Sequence, residues 1–362
     1  EEKRACYDAV DKYVNSILPN KLYRFRACSE RNLSAFYNDE LWFSNGSTMN
    51  DDFDARIYYD KKRIEGRLGS LLSEEGELKA VEKLITMEQP PQKLLELIPN
   101  AEYIFKCLKE APKGQRVDIS NNLIQHLLEN LDVALKDTTE QVQRITKFAC
   151  FTQKICSDMM WGQYSNNATG FALEYEFDGE NIITYLVNNT QDRIWANLFP
   201  VIYDNKRLDT TAYAAYLFQI QILKGMAQSI GFPYNASWLN AVVPCPDEFM
   251  ATKLAIKKST DWKAEKEWRL FYTTSNMMLA REKFSYIIQK PSGIYLTDNT
   301  LLANEEHSCV IQKPSGVYLG RKISKINQKI IVDMAKEKGI PVYKMDFNED
   351  SRNYKLKKYR LI

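Results

Sequence analysis

A block rich in Leu, Glu, Lys and Gln, from Lys61 to about Lys147, interrupts a chain that is otherwise rich in short aromatic runs. Four leucines in this block recur at every fourth position, which is helical spacing: Leu123, Leu127, Leu131 and Leu135. Prolines at positions 90, 91, 99 and 112 interrupt the pattern, and proline breaks a helix interior. The block therefore predicts several helices rather than one.

The aromatic runs on either side of this block predict strands. KLYRFRA (21–27) and ELWFSNG (40–46) precede it, and FACFTQ (148–153), GFALEYEF (170–177) and KEWRLFYTT (266–274) follow it. Further helices are predicted near residues 7–18, 210–230 and 323–338. We predict an α+β fold in which residues 1–60 and 148–362 form a core with a mixed or antiparallel sheet, and residues 61–147 form a large helical insertion.

Charge gives little support to a polyanionic partner. The chain of 362 residues has a formal charge of +2, so nucleic-acid or anionic-membrane binding would need a local patch. The C-terminal NYKLKKYRLI alternates basic and aromatic residues, but a closing strand with one solvated face explains it more simply. Nucleic acid is therefore not expected as a partner. No apolar stretch reaches the length of a spanning helix, so no membrane is expected either.

Cysteine and histidine usage restricts the possible chemistry. Seven cysteines are widely spread without CxxC spacing, which favours reduced thiols and a cytoplasmic location. Two histidines exclude a three-histidine metal centre, and HExxH is absent, so no metal is expected. Nucleophile-elbow, Walker and GxGxxG patterns are also missing. The common hydrolase, kinase and dinucleotide-fold patterns are therefore not present.

Polar residues in or next to the strand-like runs remain as candidates. They are Tyr23, Arg24 and Arg26 in LYRFR, Ser44 in LWFS, the acidic run NDDFD (50–54), and Glu265, Glu267 and Arg269 in EKEWR. Residues two apart on a strand share a face, so Arg24 and Arg26 lie together, as do the two glutamates if their strand extends back to Glu265. These charges form either a structural network, in which Arg24 or Arg26 pairs with a glutamate, or a functional site.

Five ordered blocks carry a family resemblance. LYRFR, ELWFSNGSTMNDDFD, ACFTQKICSDMMWGQYSNNATGFALEYEFD, DWKAEKEWRL and VYLGRKIS resemble the blocks of a bacterial domain-of-unknown-function family, number 2971 in that series. Two positions depart from the family pattern: Asp52 stands where the family usually has proline, and Thr169 where it has histidine. The family name implies no chemistry.

A second, broader pattern is similar to that of the ADP-ribosyltransferases, with an arginine, a serine and a Glu-x-Glu on successive strands. This resemblance implies an ADP-ribosyltransferase-like core with NAD as substrate, used for transfer or for hydrolysis. Arg24 or Arg26 would hold the pyrophosphate and Ser44 the nicotinamide ribose, while Glu267 would stabilise the developing cation and Glu265 would position an acceptor. Tyr23, Trp161 and Tyr164 would complete the nucleotide site, with Trp42, Trp161 and Tyr164 as stacking surfaces unless they are core residues.

An alternative function stays open. The chain could be a non-catalytic interaction protein, of a stress or phage-defence type, in which the charged residues are structural and the helical insertion binds a protein partner. One internal repeat, SYIIQKPSGIYL (285–296) and SCVIQKPSGVYLG (308–320), predicts two strand-turn-strand segments, with a duplicated ligand loop as the alternative.

Overall fold

The structure is a computed structural model, and it describes residues 2–90, 92, 95, 101–177, 182–187, 193–229, 243, 245–247, 249–272, 307–310 and 313–362. Helices and a mixed sheet combine in one chain, which confirms the predicted α+β class. The first copy of the IQKPSG repeat lies outside the described residues. The second copy contains one strand before and one after its Pro-Ser-Gly segment, and positions 311 and 312 lie outside the described residues.

The α-helices are α1 (Glu2–Ile17), α2 (Glu30–Tyr37), α3 (Lys61–Gly69), α4 (Lys79–Ile85), α5 (Ala101–Glu110), α6 (Lys113–Ile145), α7 (Asp158–Tyr164), α8 (Thr211–Ser229), α9 (Met250–Ala255) and α10 (Lys325–Lys338). Short polar side chains start several of them, because their oxygens accept from otherwise unpaired backbone N–H groups. Ser157 caps α7 and Ser324 caps α10, while Gly339 ends α10 with a φ of 63°.

The strands are β1 (Lys21–Arg26), β2 (Glu40–Asn45), β3 (Lys147–Thr152), β4 (Phe171–Glu176), β5 (Ile182–Val187), β6 (Arg193–Pro200), β7 (Ile202–Tyr203), β8 (Lys257–Lys258), β9 (Glu267–Tyr272), β10 (His307–Val310), β11 (Gly316–Leu319), β12 (Val342–Phe347) and β13 (Leu356–Arg360). Eleven of them form one sheet in the order β13-β12-β11-β4-β1-β3-β2-β10-β5-β6-β9. Its pairings are antiparallel except for β11 with β12. Strand β9, the last in that order, also pairs with β3 in the middle of the sheet.

The helical block packs as a core of its own. Leu131 and Leu135, two of the leucines that predicted it, are fully buried on α6. They pack with Ile64 and Leu68 of α3 and with Leu217 of α8. Helix α8 lies beyond the predicted insertion in sequence, so the apolar faces of the block are covered partly by a later helix. The division into core and insertion stays a prediction.

Two apolar clusters cover the two faces of the sheet around β1. Leu22 of β1 belongs to the larger cluster, together with Leu173, Leu270 and Val317. Tyr23 and Phe25, which alternate with Leu22 along the strand, belong to the other cluster beneath α7. Neighbouring residues of β1 therefore enter different environments, and this alternation decides which polar side chains can meet.

Candidate functional site

The largest buried charge cluster centres on Arg269 in β9, whose side chain is fully buried. Its Nη1 and Nη2 donate to the two oxygens of Asp54, at 2.5 and 2.6 Å, and Nη1 also donates to the carbonyl oxygen of Ala255 at 2.5 Å. Its Nε donates to Glu267 Oε1 at 2.8 Å. The guanidinium also lies over the ring of Phe148, 4.2 Å from the centroid. Every nitrogen of this buried cation thus donates to a hydrogen-bond acceptor.

Glu267 is held between two cations. Besides Arg269, the Lys258 Nζ of β8 lies 3.3 Å from its Oε2. Burial acts to raise the pKa of the Glu267 carboxyl, but the charges of Arg269 and Lys258 outweigh it and the pKa falls to about 2. Burial likewise acts to lower the pKa of Lys258, and the charges of Glu267 and Glu265 raise it above its ordinary value. Both groups are therefore ionised at neutral pH.

Glu265 connects this network to the surface. Its Oε2 accepts from Lys258 at 2.8 Å, and its Oε1 accepts from the phenol of Tyr164. Burial and this hydrogen bond raise the pKa of Tyr164, so the phenol stays protonated. The exposed Asn50 donates to the same phenol oxygen at 2.8 Å. Asn50, Tyr164 and Glu265 thus form a continuous polar path from solvent to Lys258.

The two glutamates do not belong to one continuous strand. Glu265 ends a 3-10 helix (Thr260–Glu265), β9 begins only at Glu267, and Lys266 between them takes a left-handed φ of 48°. The condition under which the two glutamates would share a strand face, that the strand extends back to Glu265, is therefore not met. The turn at Lys266 nonetheless brings both carboxylates to Lys258. Loop geometry, rather than strand alternation, makes them neighbours.

Strand register places several polar residues in one row. Tyr23 lies opposite Glu174 in β4 and opposite Thr152 in β3, and Thr152 lies opposite Glu267 in β9. Directly opposed residues point to the same face of a sheet. Tyr23 and Glu267 therefore share a face, separated by one strand. The Glu174 carboxylate accepts from Lys21 at 2.7 Å and from the Tyr318 phenol at 2.6 Å.

Arg24 lies on the other face. It alternates with Tyr23, its guanidinium lies 5.5 Å from the Phe151 ring centroid, and it donates to the carbonyl oxygens of Cys150 and Trp42. Arg26 shares that face and donates to the carbonyl oxygen of Phe25 at 3.1 Å. The structure thus does not bring either arginine to the glutamate pair. Arg269 and Lys258 take the pairing role that a structural network would have assigned to Arg24 or Arg26.

Ser44 is exposed and lies away from the glutamates. It sits opposite Phe148 in β3, whereas Glu267 sits opposite Thr152, four residues further along the same strand. Four residues correspond to about 13 Å of strand. A ligand that touches Glu267 would therefore need to extend along β3 to reach Ser44.

Trp161 is a core residue. It is almost completely buried, its ring meets Phe25 edge-on with centroids 4.8 Å apart, and its Nε1 donates to the Ile155 carbonyl oxygen at 2.7 Å. A stacking surface needs at least one open ring face, and here packing buries the ring. Trp42 is partly exposed, and the Arg31 guanidinium lies 4.2 Å from its ring centroid.

Sequence reasoning missed Lys258 entirely and included Asp54 only as part of the acidic run NDDFD. Lys258 carries no local signal, because KKST before DWKAE resembles any solvated segment. Asp54 leaves no local signal of its partner either, and only the structure shows that the next residue, Ala55, is fully buried with a left-handed φ of 51°. Such a conformation costs an alanine about 1–2 kcal/mol, so the loop is held in place by other contacts such as the Asp54–Arg269 pair.

Comparison with known proteins gives one match. Residues 160–270 match the model of DUF2971, described as a protein of unknown function. This segment of the chain is thus similar to the DUF2971 family. The DUF2971 segment supplies Tyr164, Lys258, Glu265, Glu267 and Arg269, whereas Asn50 and Asp54 precede it. No curated protein and no solved structure matches the chain.

Two further properties of the chain concern metals and membranes. In the part of the chain that the structure describes, no three His, Cys, Asp or Glu side chains are arranged to hold a metal ion. Among the same residues, no helix has both the length and the apolar character needed to cross a membrane.

Proposed function

We propose that this chain binds NAD at the Tyr164–Glu265 end of the buried network and cleaves the bond between nicotinamide and ribose. The charge of the network carries the proposal. Within the described residues, Asp54, Glu265 and Glu267 form ion pairs with two cations, Lys258 and Arg269, so the ionised cluster has an excess of one negative charge. A fixed negative charge in a dry environment favours a ligand that becomes positive during reaction.

The proposed reaction fits this charge. When the C1′–N bond breaks, its electron pair leaves with nicotinamide and the ribose gains oxocarbenium character. Water or another acceptor then bonds to C1′ and releases a proton, which a carboxylate can accept. Glu267 acts here as a fixed charge, because two cations already bind its oxygens. Glu265, reached from solvent through Asn50 and Tyr164, is the carboxylate that contacts the ligand.

The proposal revises the roles that the ADP-ribosyltransferase pattern implies. A ligand on the face of Glu267 does not meet Arg24 or Arg26, which lie on the opposite face. The pyrophosphate would therefore be held by other donors on the glutamate face. Ser44 keeps its proposed contact only for a ligand that extends about 13 Å along β3.

Calorimetry with NAD tests binding, and nicotinamide release measured in the same samples tests cleavage. The set consists of wild type, Glu265→Gln and Glu267→Gln, with the exposed Glu349→Gln as matched control. We expect Glu265→Gln to abolish release in a protein that keeps its circular dichroism spectrum, and Glu349→Gln to behave like wild type. Absence of NAD binding at millimolar concentration, or unchanged release in both network variants, would contradict the proposal.

A second candidate is a non-catalytic protein that binds a partner through its helical block. Ile119 and Val133 of α6 are each more than half exposed, and fourteen residues place them on the same side of the helix after about four turns. Tyr103 of α5 is also exposed. A second copy of the chain is the partner most directly tested: light scattering on wild type and on Ile119→Lys/Val133→Lys should show a smaller mass for the variant. Equal masses would argue against self-association through α6.

A further inference from the structure

The C-terminal fifty residues carry a charge that the whole-chain value conceals. Residues 313–362 contain thirteen Lys and Arg but only five Asp and Glu, a formal charge of +8. Because the whole chain has +2, residues 1–312 carry −6. Such an asymmetry within one chain indicates a polyanion-binding region more than the total charge does.

These residues form one edge of the sheet. Strands β11, β12 and β13 are consecutive neighbours, and β13 pairs only with β12 among the described strands. Helix α10 packs against the same strands through Ile331 and Ala335, and Lys344 of β12 donates to Gln328 of α10 at 3.1 Å. The positive charge is therefore concentrated on one part of the surface rather than spread along an extended tail.

Most of these cations have no acidic partner. Within the described residues, Lys338 alone of the thirteen forms an ion pair, with Asp39 at 2.8 Å. Five of them, Arg352, Lys355, Lys357, Lys358 and Arg360, follow one another along β13 and the turn before it, and all five side chains are exposed. We call this row the β13 strip. Asp346 lies opposite Lys357 in the register but forms no ion pair with it in the described structure.

Exposed aromatic side chains accompany the strip. Tyr354 is fully exposed, and Tyr359 and Phe347 are each nearly half exposed. The Arg321 guanidinium lies over the Phe347 ring, 4.4 Å from its centroid. Lysines on an edge strand also prevent edge-to-edge association, which explains the charges. Protection of the edge does not explain why large aromatic rings are exposed to water between these lysines and arginines.

We propose that the β13 strip binds single-stranded nucleic acid. Lysine and arginine side chains would neutralise consecutive phosphates, and Tyr354 and Tyr359 would stack on unpaired bases, the combination that sequence-tolerant single-strand binders use. A duplex offers the same phosphates but hides the faces of its bases, so the exposed rings favour a single strand. This inference differs from the expectation drawn from the whole-chain charge, and it is independent of NAD binding.

The test is fluorescence anisotropy with labelled oligo-dT and oligo-U of roughly 20 nucleotides, at several salt concentrations between about 50 and 200 mM. The charge variant is Arg352→Ala/Lys355→Ala/Lys357→Ala. Its matched control, Lys62→Ala/Lys83→Ala/Lys136→Ala, removes the same charge from exposed positions on α3, α4 and α6. The stacking variant is Tyr354→Ala, at a position whose side chain is fully exposed.

We expect the charge variant to bind at least tenfold more weakly and to reduce the salt slope by about 2, since each single-strand phosphate contact contributes about 0.7. Tyr354→Ala should weaken binding by roughly fivefold or more with an unchanged slope. Equal losses in the control triple, or no binding of either oligonucleotide by wild type, would overturn the proposal. Stronger binding to phosphatidylserine vesicles, in a form that the oligonucleotides do not displace, would also overturn it. The exposed Ile326 and Ile330 of α10 would then explain the membrane binding.

Discussion

Arg269 donates to both carboxylate oxygens of Asp54 although 215 positions separate the two residues in sequence. Both side chains are fully buried. This pair fastens the loop after β2 to the strand β9, and it brings the NDDFD and EKEWR motifs into one cluster. The buried network thus joins two segments that the helical block separates along the chain.

Asp54→Ala should destabilise the protein strongly, because Arg269 would keep its charge in a buried position with one partner fewer. Breaking a buried pair from one side costs about 3–5 kcal/mol. Urea unfolding followed by circular dichroism measures the loss. Arg63→Met is the matched control, since the Arg63–Asp209 pair is about half exposed and such pairs contribute little to stability. Similar losses in the two variants would mean that Arg269 finds other compensation.

Acid should weaken the fold through Glu267. The pKa of this carboxyl is about 2 in the folded protein, below its ordinary value of 4.5. The unfolded chain therefore binds the proton more tightly, and the stability that Glu267 contributes is present above about pH 4.5 and lost as pH falls toward 2. The free energy of unfolding, measured between about pH 6 and pH 3, should decrease by an amount on the order of 2 kcal/mol from this group.

Glu267→Gln provides the comparison for this pH dependence. Glutamine fills the same volume but does not titrate, so the variant should be less stable than wild type at neutral pH and should lose less stability on acidification. A variant whose pH profile is parallel to that of wild type would show that other carboxylates cause the acid sensitivity.

Two glycines near α7 should respond in opposite ways to alanine. A Cβ at Gly170 would overlap the carbonyl oxygen of Arg26 and would press on that of Ser165. Gly170→Ala therefore requires backbone movement and should destabilise the protein by about 1–3 kcal/mol or more, as overpacking does. Gly162 lies inside α7 with open space around its Cβ position. Gly162→Ala should therefore stabilise the protein by about 0.5–1 kcal/mol. Thermal unfolding of the two variants beside wild type measures both, and equal changes would refute the close approach at Gly170.

Trp161→Phe should act on stability and not on ligand recognition. The smaller ring would lose the hydrogen bond to the Ile155 carbonyl oxygen and leave a gap against Phe25, which together cost about 2–4 kcal/mol. Chemical denaturation measures this cost, and Met159→Ala at an exposed neighbouring position should cost far less. A Trp161→Phe protein of normal stability with weakened NAD affinity would instead indicate that the ring contacts the ligand.

Local signals were enough to predict the α+β class and most element positions. The four-residue leucine repeat marks α6, and the runs KLYRFRA and ELWFSNG mark β1 and β2. These features follow from residues that are close in sequence, such as helix caps and alternating side chains, so they can be recognised without knowledge of the partners. The family resemblance likewise rested on short ordered blocks, and the match over residues 160–270 confirms it.

The arrangement of the candidate site required the tertiary structure. Sequence placed Arg24 and Tyr23 side by side, but only the register of β1 with β3 shows that Tyr23 shares a face with Glu267 while Arg24 does not. The left-handed turn at Lys266 was equally hidden, although it decides that both glutamates reach Lys258.

What the sequence determined by itself is thus the class of fold, the position of its main elements and the resemblance to a family. What the tertiary structure alone decided is which charges meet, Asp54 with Arg269 and Glu265 with Lys258, and that the β13 strip lies at an edge of the sheet. The physical reason is that element formation depends on neighbours within a few residues, whereas the energy of a buried charge depends on partners that the fold brings from anywhere in the chain.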